Sequence, residues 1–114
     1  MSLHTLNIRL DFPYRTGFTH GAFRPENDAL VSLMEQRPGS RVLVLLEKGL
    51  EQFYPQLSAD IDRYFEKNAG VLAYAGCRSV PGGEEAKTGF SAWETALRHI
   101  VEAGIDRHSY IIAV

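Results

Sequence analysis

The chain has 114 residues, of which 45% are hydrophobic and 23% charged, enough for one compact domain with a buried core. Its 12 basic and 14 acidic residues give a net charge of −2 with no basic cluster, which argues against a nucleic-acid partner. No apolar run approaches the ~20 residues of a membrane span, no signal pattern opens the chain, and the single Cys77 forbids an internal disulfide, so the reading is a cytoplasmic protein that meets no membrane.

Taken in chain order, Leu6, Ile8 and Leu10 alternate with Thr5, Asn7 and Arg9, the period of a half-buried strand. Asp11-Phe12-Pro13 breaks it, and Tyr14 to His20 reads as a return strand, completing an N-terminal β-hairpin. Pro25-Glu26-Asn27-Asp28 is an acidic helix start, and the helix is expected through Leu30, Leu33 and Met34 to about Gln36, where Arg37-Pro38-Gly39 stops it. Arg41 to Leu46 is a continuous apolar run, as in strands buried on both faces of a parallel sheet.

A second helix is expected over Ser58 to Asn68, with Ser58 as N-cap and Ile61, Tyr64 and Phe65 on one face. Val71 to Val80 is the next strand. Phe90, Trp93, Leu97, Ile100 and Val101 follow at helical spacing within a helix near 88–103, closed by Gly104. Trp93 reads as core, and Ser91 with Glu94 as a capping box. Tyr110 to Val114 is the last strand. After the hairpin the order is α, β, α, β, α, β, which predicts an α/β fold: a Rossmann-like parallel sheet flanked by helices, its three strands parallel neighbours.

The stretch VPGGEEAKTGFSAW, Val80 to Trp93, carries the chemistry. Ala86-Lys87-Thr88 is not a P-loop end, because that motif needs glycine where Ala86 and Pro81 stand. No G-x-G-x-x-G occurs. As structure, the stretch is a strand-to-helix turn whose glycines take unusual backbone angles and whose Glu84 and Glu85 suit a helix N-terminus. As a site, a carboxylate at a strand's C-terminal edge accepts both hydroxyls of a ribose, and Lys87 shares the first turn with Glu84. The same two residues, at i and i+3, also allow a simple Glu84–Lys87 bridge on a helix surface. His4, His20, His99 and His108 have no metal-site spacing, and Cys77 reads as a small buried hydrophobe. Arg107 reads as a salt-bridge residue.

Pro81-Gly82-Gly83-Glu84-x-x-Lys87-Thr88, followed by a helix and Asp106-Arg107-His108-Ser109-Tyr110-Ile111-Ile112-Ala113, resembles the sugar phosphate cyclase superfamily, the family of 3-dehydroquinate synthase and of the valiolone-type cyclases. The resemblance spans most of the chain, with Tyr14 to Phe23 similar to the family's early hairpin and Arg41 to Leu50 to its first nucleotide-binding strand. It implies that residues 1–114 are the N-terminal NAD-binding domain of such an enzyme, a phosphorus–oxygen lyase that is a homodimer when complete. Glu84 and Lys87 match the family's NAD-contacting pair, Gly82 and Gly83 would turn the backbone beside the cofactor, and Glu47 stands where the family has an aspartate near the adenosine ribose. The triple-glycine diphosphate loop, the zinc ligands and the phosphate-holding basic residues would lie in a further domain, so this chain alone is expected to bind NAD weakly and to lack activity on the sugar phosphate substrate, a heptulose 7-phosphate. Two other readings stand beside it: a free-standing nucleotide-binding or regulatory module without catalysis, and a relative of glycerol dehydrogenase.

Overall fold

The computed structural model describes residues 1–34 and 39–114. The elements are α1 (Ala29–Leu33), β1 (Arg41–Glu47), α2 (Lys48–Phe53), α3 (Leu57–Lys67), β2 (Ala73–Val80), a 3-10 turn (Gly83–Lys87), α4 (Ser91–Glu102) and β3 (Tyr110–Ala113). The three strands form one parallel sheet in the order β2-β1-β3. This is the expected α/β, Rossmann-like arrangement, with the most apolar strand in the middle. Val42, Leu43, Val44 and Leu46 of β1 are fully buried. Each such side chain contributes roughly 1.5–3 kcal/mol through apolar burial, which is why this segment takes the centre.

Val42 and Val44 meet Ile61, Tyr64 and Phe65 of α3, with Val31, Met34 and Leu72 closing the cluster. Tyr64 lies edge-on to Phe23 and Phe65, and Phe65 stacks on Tyr74 at 4.9 Å. Leu43 points to the other face by strand alternation. The chain leaves β1 towards β2 through α3, then crosses back past β1 to β3 through α4. Because such crossovers are right-handed, α3 and α4 cover opposite faces.

β2 carries a bulge. Val42 pairs with Tyr74, but Leu43 pairs with Gly76, so Ala75 is the extra residue. Gly76 takes φ +112° there, a conformation that favours glycine. The bulge flips the side-chain phase, so Tyr74 and Cys77, three residues apart, both pack on the α3 core. The Tyr74 hydroxyl donates to Asp62 Oδ1 at 2.6 Å.

Several expectations fail for identifiable reasons. The hairpin is not formed: residues 1–19 contain no strand, and Leu6, Ile8, Leu10 and Phe12 are exposed. An isolated two-stranded hairpin is marginal in water, and here the segment's apolar side chains stay exposed rather than packing into the core. The first helix is confined to Ala29–Leu33; Asn27 forms the turn before it, its Oδ1 accepting the Ala29 N–H at 3.0 Å and its amide donating to the His20 and Gly21 carbonyls. The expected end at Gln36 and stop at Arg37-Pro38 lie outside the described residues. Ser58 is not an N-cap, since α3 starts one residue earlier behind Gln56. Helix α2, unforeseen, follows β1 with no loop. At α4 the first helical residue is Ser91 itself, with Phe90 before it and no side-chain cap, so Ser91 and Glu94 form no capping box. Trp93 is 63% exposed rather than core, and Phe90, Leu97 and Val101 are exposed beside it. The half-buried side of the helix runs through Ala92, Thr95, Ala96, His99 and Ile100.

Candidate functional site

A parallel sheet in the order β2-β1-β3 reverses direction at β1. Ligands of such sheets bind where neighbouring strands lead to opposite faces, beyond the strands' C-terminal ends. Here that edge is made by Glu47 of β1, Val80-Pro81-Gly82 after β2 and Val114 after β3. The Glu47 N–H donates to the Val114 carbonyl at 2.9 Å, and the Val114 N–H to the Leu45 carbonyl at 3.0 Å, which carries the β1–β3 ladder to the end of both strands.

Glu47 is the first charged residue after the buried run of β1, and it is half-buried. Its side chain lies across the Cα of Gly82: a Cβ on Gly82 would collide with Glu47 Cγ, Cδ and Oε1. A Cβ on Gly49 would stand 3.3 Å from the same Oε1. The two glycines after Pro81 therefore serve different needs. Gly82 has φ −129°, which any residue adopts, so it supplies space for Glu47. Gly83 has φ +62° and open space around it, so it supplies the backbone turn. The turn was foreseen for both glycines; the contact between Glu47 and Gly82 and the part of Gly49 were not. A glycine two residues beyond a strand-end carboxylate was the available signal.

Glu84 and Lys87 come together, but with each other. Lys87 Nζ is 3.2 Å from Glu84 Oε1, with side chains 73% and 89% exposed. The segment is a 3-10 turn, in which residues three apart eclipse, so this pairing follows from the local geometry. Among the described residues no hydrogen bond or ion pair joins them to Glu47. The edge thus presents a half-buried carboxylate over a glycine, with an exposed ion pair one turn away. A carboxylate so placed can accept two neighbouring hydroxyls of a sugar.

Other groups offer less. Burial pushes the Cys77 thiol above its ordinary value, opposed more weakly by the Ser58 hydroxyl, so it stays protonated at neutral pH and is a poor nucleophile. The His108 ring accepts the Arg107 Nε–H at 3.1 Å, while His99 Nδ1 is buried with no hydrogen-bond partner among the described residues. Arg107 forms no salt bridge among them, contrary to its expected role. Among the described residues no three His, Cys, Asp or Glu converge as metal ligands, and no helix is long and apolar enough to cross a membrane.

No family model, curated protein or solved structure matches this chain. The arrangement at the strand ends therefore carries the functional argument.

Proposed function

We propose that this chain is the NAD-binding part of a sugar phosphate cyclase of the 3-dehydroquinate synthase or valiolone synthase type. The observation that supports it is the Glu47 carboxylate, half-buried at the switch point and seated over a glycine that leaves it room. That cradle fits the ribose end of a dinucleotide: an acceptor-only group beside a surface with no Cβ in the way. On this reading Glu47 accepts the hydroxyls of the adenosine ribose, Gly82 leaves room for the Glu47 side chain, Gly83 turns the backbone beside the cofactor, and Glu84 with Lys87 opens from its mutual bridge to meet the cofactor. Bound NAD would supply transient hydride removal from the sugar substrate.

The diphosphate-binding loop, the zinc ligands and the groups that hold the sugar phosphate belong, on the same reading, to a further domain, and activity and dimerisation belong to the longer enzyme. The 114-residue chain then binds NAD only weakly. Saturation-transfer NMR with NAD tests this directly. The expected result is transfer centred on ribose protons and lost in Glu47→Gln. Transfer that survives Glu47→Gln, or micromolar affinity by calorimetry, would overturn the assignment, the latter because another part of the chain would then be holding the diphosphate.

The exposed, self-contained Glu84–Lys87 bridge supports a second reading, in which Val80 to Trp93 is a structural turn in a free-standing module. Unchanged NAD affinity in Glu84→Ala and Lys87→Ala variants of the longer enzyme would favour it.

A further inference from the structure

At the opposite end of the sheet, beneath the start of β3, lies a concavity of about 640 Å³ lined by Pro13, Arg15, Leu33, Arg107, His108, Ser109 and Tyr110. It is separate from the strand-end site and does not depend on the function proposed above. Two arginines from distant parts of the chain line it, and its described lining contains no carboxylate. Among the described residues Arg15 has no hydrogen-bond or ion-pair partner, and Arg107 has the ring of His108.

Asp106, the acid nearest in sequence, is turned away into its own loop. Its Oδ1 accepts the His108 N–H at 2.8 Å and the Ser109 hydroxyl at 2.9 Å. That loop fixes residues 107–109, and the His108 ring then holds the Arg107 side chain by its Nε, leaving the two terminal nitrogens for a ligand. Arginine pairs with no carboxylate here, although its planar fork suits carboxylate and phosphate alike. Pro13, Leu33 and Tyr110 add apolar lining beside the two arginines. The volume falls within the range of small-molecule sites.

We propose that this concavity binds the phosphate group of a small phosphorylated molecule, held between Arg15 and Arg107. The test is a titration of the ¹⁵N-labelled chain with inorganic phosphate and with glycerol 3-phosphate, against sodium chloride at matched ionic strength. Saturable shifts are expected at the amides of residues 107–110, with tighter binding of the monoester. Tighter binding of inorganic phosphate would keep the phosphate site and name the free ion as its ligand. Arg107→Gln and Arg15→Gln should each weaken binding about threefold to tenfold. Arg15 is exposed and outside the core cluster among the described residues, so its variant remains interpretable if Arg107→Gln fails to fold. Shifts no larger than those from chloride, or affinity unchanged in the Arg15 variant, would overturn the proposal.

Discussion

Gly82→Ala isolates the contact on which the strand-end site is built. The backbone there tolerates alanine, since φ is −129° and ψ −171°. The three atoms nearest the added methyl all belong to Glu47: Cγ, Cδ and Oε1. Glu47 must therefore swing away or β1 and the Gly82 loop must part, an overpacking cost of about 1–3 kcal/mol. In a Glu47→Ala background the obstacle is gone. The same substitution should then raise stability by about 0.5 kcal/mol, because alanine restricts the unfolded chain more than glycine does. The sign of the effect reverses, and the coupling between the two positions is about 2.5 kcal/mol, within the range for residues in contact. Urea unfolding of the four proteins, followed by far-ultraviolet circular dichroism, reads this cycle. Equal effects of Gly82→Ala in both backgrounds would refute the claim that Gly82 exists to make room for Glu47.

Other outcomes follow from individual groups. The Tyr64 hydroxyl is buried without a hydrogen-bond partner among the described residues, so Tyr64→Phe should leave stability unchanged or raise it by up to about 1 kcal/mol in urea unfolding; a clear loss would reveal a missed partner. Burial first, and then the bond to Asp62, hold the Tyr74 hydroxyl above its ordinary value of 10.0. The folded state therefore keeps a proton that the unfolded chain releases, so stability is present below pH about 10 and falls as pH rises beyond it. Urea midpoints across that range should decline less steeply in Tyr74→Phe. Glu84→Ala should change the cofactor-free melting behaviour of the chain by less than about 0.5 kcal/mol, as for an exposed bridge. If the chain is the NAD-binding part of a longer enzyme, as proposed, the same variant of that enzyme should bind NAD roughly tenfold to a hundredfold more weakly, and lost stability with intact affinity would return the pair to a structural role.

The sheet was legible because an apolar run such as Val42 to Leu46 has few alternatives to a central buried strand, and the turns around it are marked by glycine and proline. Periodicity was a weaker guide where it had to say what covers a face. The alternation of Leu6, Ile8 and Leu10 shows that a segment suits a strand, not that a partner strand exists. The spacing of Phe90, Trp93, Leu97 and Val101 shows a helix, yet that stripe faces solvent and the smaller Ala92 and Ala96 turn inward. In β2 the bulge at Ala75 erases the alternation that would have told which residues share a face. At the site, Glu47, Gly82 and Gly83 could be singled out by type, but their contact depends on the parallel register of β1 and β2, which local sequence does not encode.

The bulge also leaves the sheet with one open border. β2 is an outer strand, and a long flat outer strand invites pairing with other chains. Ala75 divides its ladder into a short stretch before the kink and a longer one after it, and the Arg78 guanidinium lies back over Gly76. Added twist and a charge on that border discourage a neighbour from docking along it. The β3 side has no such guard among the described residues, so growth of the sheet, whether by further chain or by unwanted aggregation at high concentration, is directed to that side alone.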